Sequence, residues 1–392
     1  MPTRRKFLQS ATAGATVAAA APARAAKQGN GNVYTRLGVR PVINGVGTVT
    51  VLGGSIMPPE VVRAMEEASR YFVQLPELEK KVSARLAGLL GAPAAMITAG
   101  AASAITVATA ACVARGDPAK VRRLPDTTGL PNEIVQQKSH RSGYEAQMLL
   151  VGTKIVWVET AEELERAISD RTAMMFFLNK ADPEGQIKRH EWIRVGRQRG
   201  IPTFNDAAAD VPPASRLGEY VKEGFDLVAF SGGKGLLGPQ CSGLLLGREN
   251  LIEAGRLAIN PHGGIGRGMK VGKEEMIGLL AAVERYLKVD HAAERKELED
   301  RAAHVIQALA KARGVKAERH MPEIANQVPH VAIEWEEGAR KLTAKQVVAQ
   351  LAEGDPPIMV SQRGPGRLVV SMWMLRPGEH KIVARRLAEV LG

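Results

Sequence analysis

The chain has 392 residues, of which 24% are charged, 45% apolar and only 4% aromatic. At ~100–200 residues per domain, that length predicts two domains and a core large enough to need no disulfide or metal staple. No apolar run approaches the ~20 residues needed to span a bilayer. The 40 Gly and 22 Pro are dispersed, which excludes collagen-like and disordered chains. Two cysteines, Cys112 and Cys241, can build neither a disulfide framework nor a four-thiolate zinc site.

The chain opens with Arg4-Arg5-Lys6-Phe7-Leu8, then an apolar stretch over 11–21, then Pro22-Ala23-Arg24-Ala25. A basic start, a short apolar middle and a small-x-small ending make an export leader. The paired arginines before Phe7 resemble a twin-arginine signal, so a periplasmic or secreted location is expected. That route carries folded proteins and suits an enzyme that takes up its cofactor before export; a disordered basic tail is the alternative. Residues 1–25 are set aside from the fold. The formal charge is +12, and +8 without the leader's four basic residues. Basic charge favours anionic partners. With few aromatics and no long Lys/Arg run, nucleic acid is not expected among them.

Residues 27–32 are polar and Gly-rich, within an N-terminal arm expected over 26–55. Val61, Ala64, Met65 and Ala68, and then Leu78, Val82 and Leu86, recur at helical spacing. An apolar run at 95–97 leads into small residues over 100–114. Further apolar runs fall at 155–158, 173–178, 202–204, 227–230 and 244–246, with helical patterns at 161–168 and 191–199 between them. This alternation predicts an α/β fold with a mostly parallel sheet covered by helices. A long helix is predicted over 273–287, extending with a break through 312. Strands at 328–334, 358–361 and 367–375, with helices at 345–353 and 381–391, predict a smaller α+β domain. The expected domains are therefore 56–290 and 291–392.

Four features carry candidate chemistry. Thr98-Ala99-Gly100-Ala101-Ala102-Ser103 follows a strand and opens a helix, which suits anion binding at the helix N-terminus or close packing of an Ala-rich helix. Asp206 ends a strand, where ligands are met in open α/β sheets, or caps the next helix; Asp210, four residues on, is expected at the surface or as a cap. Lys234 stands within Ser231-Gly232-Gly233-Lys234-Gly235, either projecting into a cleft, with glycines giving space and positive φ, or exposed in a turn. Gly263-Gly264-Ile265-Gly266-Arg267-Gly268-Met269-Lys270 is a surface loop or an anion-binding loop. No P-loop is present, because Lys234 precedes Gly235 rather than Ser or Thr. The dinucleotide fingerprint fails at Met269, and the scattered histidines argue against a metal.

An anion loop, then a strand-end carboxylate, then a lysine after the next strand match what pyridoxal phosphate requires. The lysine forms a Schiff base, the carboxylate pairs with the pyridinium nitrogen, and the helix N-terminus holds the phosphate. The lysine must also lose proton affinity by burial to react.

At these residues the chain resembles the fold-type I pyridoxal-phosphate enzymes. Within them it is similar to the selenocysteine synthase-like group: L-seryl-tRNA(Sec) selenium transferases and D-glucosaminate-6-phosphate ammonia lyases. The likeness runs from about Tyr34 to the C-terminus. It rests on Val42-Ile43-Asn44-Gly45-Val46-Gly47-Thr48, Leu52-Gly53-Gly54-Ser55-Ile56-Met57, Asp206-Ala207-Ala208, Ser231-Gly232-Gly233-Lys234 and Met269-Lys270-Val271-Gly272-Lys273-Glu274-Glu275.

By position, the resemblance implies that Lys234 is the Schiff-base lysine and proton shuttle, and that Asp206 is the partner of the ring nitrogen. It makes Gly100, Ala101, Ala102, Ser103 and Ser231 the phosphate cradle. His140 stacks on the ring or is a surface histidine, and Arg376 binds the substrate carboxylate or is solvated. Asn44 and Thr48 line the cleft, while Arg267 and Lys270 reach a neighbouring subunit's site. Cys112 is expected in the core, and Cys241 in packing or near the cofactor.

The implied function is a lyase that binds a small amino acid as external aldimine and eliminates ammonia or a β-substituent. A selenium transferase-like or aminotransferase-like enzyme, or a racemase, is the alternative within that chemistry; an inert binding or scaffold protein is the alternative outside it. A homodimer or larger homo-oligomer is expected, with no membrane partner. The likeness begins soon after the leader, so the transferases' tRNA-gripping domain is expected to be absent. Export argues against both charged tRNA and a phosphorylated cytoplasmic substrate.

Overall fold

The computed structural model describes residues 31–392, so the leader expected at 1–25 lies outside the described residues. The chain divides into two units, 1–42 and 43–392. In the first, the Asn32 side chain caps the short helix Val33–Arg36 by accepting from the N–H groups of Tyr34 and Thr35. The second contains all the rest.

After β1 (Ile43–Asn44), seven strands form the large sheet: β2 (Ala94–Thr98), β3 (Glu133–Gln137), β4 (Lys154–Val158), β5 (Thr172–Leu178), β6 (Thr203–Asp206), β7 (Leu227–Ser231) and β8 (Gly243–Gly247). Their order is β2-β8-β7-β6-β5-β3-β4. β8 is antiparallel to both neighbours, and the other pairings are parallel. Successive side chains alternate between the faces. Met174 and Phe176 join one core with Phe204 and Leu245; Met175 and Phe177 join the other with Val228, Phe230 and Leu246. Helices cover both faces, which is why these strands read as continuous apolar runs.

The helix Ala101–Ala114 is buried along almost its whole length. Its small side chains let neighbours approach closely: a Cβ added at Gly255, on the helix Glu249–Arg256, would lie 3.0 Å from Val107 Cγ1. Beyond the helices Lys273–Tyr286 and His291–Leu309, the smaller domain carries β9 (Val315–His320), β10 (His330–Trp335), β11 (Ile358–Met359), β12 (Ser361–Gln362) and β13 (Arg367–Ser371). The order β12-β13-β10-β9 is antiparallel, and β11 pairs in parallel with β1.

Three strands escaped the periodicity reading: the two-residue β1, β3 and β9. β3 is Glu-Ile-Val-Gln-Gln, wholly buried although three of its residues are polar. Glu133 pairs with Arg171 and Lys154, Gln137 exchanges hydrogen bonds with the backbone of Ile187, and Gln136 donates to His140 O and Glu145 Oε1 while its own Oε1 stays without a partner. β9, mostly exposed and charged, is an edge strand whose polarity blunts further pairing.

Ala108, fully buried in the small-residue helix, has no room for a larger side chain. Ala108→Leu is expected to destabilise the fold by about 1–3 kcal/mol, read as a lower urea midpoint at unchanged m-value.

Candidate active site

β2, β6 and β7 run in the same direction, so Thr98, Asp206 and Ser231 arrive at one edge of the sheet. β8 starts from that edge at Gly243, which pairs with both Thr98 and Ser231. Side chains at such strand ends meet ligands because the loops beyond them open a crevice.

After β2, Gly100 turns the chain with φ of 127°, and its carbonyl accepts from Thr98 Oγ1 at 2.9 Å. The helix Ala101–Ala114 then begins without a side-chain cap, and its first internal bond runs from Ala104 N–H to Gly100 O. The N–H groups of 101–103 are therefore left as a positive terminus. The Ser103 hydroxyl beside them is buried without a hydrogen-bond partner. β8 presses directly on this turn, since a Cβ at Gly243 would lie 2.5 Å from the Gly100 carbonyl carbon.

Asp206 is 5% exposed, and its Oδ1 accepts from Ala208 N–H at 3.1 Å. Burial pushes its carboxyl above the usual range, against the pull of that N–H and of the Lys234 and Lys180 charges. Asp210, expected at the surface, is instead 3% exposed and hydrogen-bonded to Asn179 and Tyr220.

Lys234 follows β7 in a loop whose glycines serve contact rather than positive φ. A Cβ at Gly233 would lie 2.5 Å from Gln240 Cα, and one at Gly235 would lie 2.2 Å from Val211 O. The left-handed residue of the loop is Leu237, with φ of 56°. The 49–55 segment braces the loop: Ser55 Oγ donates to Gly233 O at 3.1 Å, and Gln240 Nε2 donates to Thr50 O at 3.1 Å. Burial lowers the proton affinity of the Lys234 amine and Lys180 lowers it further, while Asp206 and Asp210 oppose the shift.

Asp206, Lys234, Ser231, Gly100, Ala101 and Ala102 all line one cavity of about 420 Å³, and Thr48 joins them. Among the described residues Lys234 makes no ion pair, so the amine and the Asp206 carboxylate share the cavity without closing on each other. Three other cavities are larger, at about 460 to 660 Å³, but none combines a buried lysine with a buried carboxylate.

Several expected residues are placed elsewhere. His140 is fully buried and is not on the cavity wall. Its Nδ1 accepts from Leu178 N–H at 3.1 Å, its ring meets Phe177 edge-on at 4.5 Å, and burial with the Lys188 charge lowers its pKa to about 4. It is a neutral ring packed beside the end of β5, not a surface histidine. Arg376 is committed to Glu379, with Nε to Oε1 at 2.7 Å, and stands outside the cavity. Asn44 folds its own turn, accepting from Val46 and Gly47 N–H and donating to Gly47 O. Arg267 and Lys270 are exposed, and their Gly-rich loop packs back on Ala258, whose carbonyl accepts from Gly266 N–H at 2.7 Å. Cys112 is buried and Cys241 exposed.

The cavity also has residues the sequence reading missed: Tyr144, Thr50, Gly54 and Gln240. Tyr144 stood beside His140 in the same polar run, and Gln240 ended the glycine-rich lysine loop. Lys180, two residues past the register partner of Asp206, acts through its charge.

Known proteins resemble the chain in both sequence and fold. Residues 146–343 match the family described as L-seryl-tRNA selenium transferase. The 5'-C-glycyluridine monooxygenase-decarboxylase of a Streptomyces species is 34% identical over 91% of this chain and 92% of its own. The D-glucosaminate-6-phosphate ammonia lyase of Salmonella typhimurium is 30% identical over 92% and 98%. The chain belongs to the L-seryl-tRNA selenium transferase family. A solved D-glucosaminate-6-phosphate ammonia-lyase superposes with a TM-score of 0.80 at 29% identity, covering 92% of this chain and 98% of that one. Sphingomonas wittichii serine palmitoyltransferase, at 14% identity and a TM-score of 0.57, covering 89% and 87%, shares the fold. The protein is thus a fold-type I enzyme whose cofactor is pyridoxal 5'-phosphate.

The residues present fit that group. The uncapped helix N-terminus reaches the cavity at Gly100, Ala101 and Ala102, and the carboxylate and amine share that cavity without an ion pair; Ser103, expected beside them, is buried with no hydrogen-bond partner and is not on the cavity wall. Gly243→Ala drives a methyl group into the Gly100 turn without touching either charged side chain. It is expected to weaken pyridoxal-phosphate uptake about tenfold or more, the effect of losing ~1.4 kcal/mol of binding. Equilibrium titration of the cofactor-free protein measures the loss.

Proposed function

We propose that the protein is a pyridoxal-phosphate-dependent lyase that takes a small amino acid, withdraws its α-proton and releases ammonia or a β-substituent. The observation that carries this reading is the buried lysine and the buried carboxylate facing one cavity without an ion pair. Bound there, pyridoxal phosphate supplies an electron sink for a bond broken at the amino acid's α-carbon.

The chain's own residues do the rest. The Lys234 amine, its proton affinity lowered by burial, would hold the cofactor through its aldehyde carbon and would move a proton at the substrate α-carbon. The Asp206 carboxylate would hold the ring nitrogen and keep it protonated. The N–H groups of 101–103, with the Ser231 hydroxyl, would hold the phosphate. Thr48 and Tyr144 also line the cavity.

The identity of the Salmonella ammonia lyase over nearly its whole length supports elimination. A second reading, oxidative decarboxylation, has the 34% identical Streptomyces relative in its favour. The family name keeps group transfer in view. Export by the twin-arginine route, read from Arg4-Arg5 and the apolar stretch after them, completes the proposal. So does a homo-oligomer in which the exposed Arg267 serves a neighbouring copy.

Lys234→Ala is expected to lose the visible absorbance of the lysine-linked cofactor and at least 10³-fold in activity, since covalent and proton-transfer roles fall together. An unchanged spectrum refutes the assignment. Incubating the wild type with L- and D-amino acids should release ammonia; carbon dioxide with oxygen uptake favours the second reading.

A further inference from the structure

Asp210 is a second carboxylate that the proposed chemistry leaves unused. Its N–H donates to Ala207 O at 3.1 Å, which closes the turn that follows β6. Its Oδ2 accepts from Tyr220 Oη at 2.9 Å and from Asn179 Nδ2 at 2.5 Å. Asn179 Oδ1 in turn accepts from Asn205 Nδ2 at 3.3 Å. Asn205 immediately precedes Asp206, and Asn179 follows Leu178, the register partner of Asp206. Asn179 and Asn205 are fully buried, and Tyr220 is 1% exposed. One carboxylate oxygen therefore ties the end of β5, the end of β6 and the helix Arg216–Glu223 into a single knot directly behind Asp206.

The charges around the knot are defined. On the helix side Arg216 and Arg189 lie over the Tyr220 ring at 5.5 and 5.8 Å; Arg216 is paired with Glu219, and Arg189 with Asp182 and Glu223. On the cavity side stand Asp206 and Lys234. Burial, with Asp206 adding to it, pushes the Asp210 carboxyl up to about 6, against its two hydrogen bonds and Arg216. An apolar residue would fill this space without the desolvation that a buried charge costs, so folding alone does not call for an acid here.

We propose that Asp210 is the positioning residue of this site, its hydrogen-bonded clamp with Asn179, Asn205 and Tyr220 fixing where Asp206 presents its carboxylate. Its charge has a second effect, raising the proton affinity of Lys234 from behind. The inference rests on the proposed site, but its test does not need the loaded enzyme.

In cofactor-free protein, labelling of Lys234 by an amine-directed reagent is followed against pH by peptide mass spectrometry. Asp210→Asn keeps an acceptor oxygen for Asn179 and Tyr220 but removes the charge, so its labelling profile should move to lower pH. Asp210→Ala should show the same shift and also weaken pyridoxal-phosphate uptake on the order of tenfold, because the clamp's donors lose their acceptor. Glu219→Gln, at the outer side of Arg216, should change neither. Wild-type labelling profiles in both Asp210 variants, with any loss confined to melting temperature, would overturn the proposal. Wild-type uptake in Asp210→Ala would overturn the positioning role equally. A wild-type chain that takes up no pyridoxal phosphate would count against the proposed function instead, and Lys234 labelling would still decide this inference.

Discussion

Asp206 and Lys234 attract each other across a buried cavity yet form no ion pair. Each is destabilised in its charged form by burial, and each is partly rescued by the other's field. Left to relax, two such groups would close on one another, because a contact pair recovers more of the desolvation cost than two separated charges. In the structure they stay apart. Asp206 is held by Ala208 N–H at the end of β6, and Lys234 rises from a loop whose glycines pack against the backbone of Gln240 and Val211. A ligand with a protonated ring nitrogen at one end and an electrophilic carbon at the other resolves both groups at once.

The same constraint explains features remote from the charges. The sheet must deliver three strand ends to one edge, and it does so by making β8 alone run antiparallel between β2 and β7. β8 must then lie flush against the turn that opens the anion-binding helix, which is why it begins with a glycine. The helix itself must enter the core along its whole length, which selects alanine and other small residues over an amphipathic stripe.

Much of this was legible in the residues. Apolar runs located the strands that carry the site, because a parallel sheet covered on both faces is apolar throughout. The order of small-residue helix, Asp206 and Lys234 was legible because each stands at a strand end, where periodicity stops abruptly. β3 was missed because its buried polar groups pair with partners remote in sequence. His140 lies off the cavity because Leu178, remote in sequence, engages its ring, whereas Arg376 follows the solvated reading, paired with Glu379 three residues on. Asp210 read as surface because nothing local to it announces Asn179 and Tyr220.

The account stands on the amine at position 234 being the one that joins the cofactor. Borohydride reduction of the pyridoxal-phosphate-loaded wild-type protein, followed by proteolysis and mass spectrometry, tests this directly. A single pyridoxyl adduct on the peptide carrying Lys234 is the result predicted. An adduct on Lys180 or another lysine, with Lys234 unmodified, would contradict it.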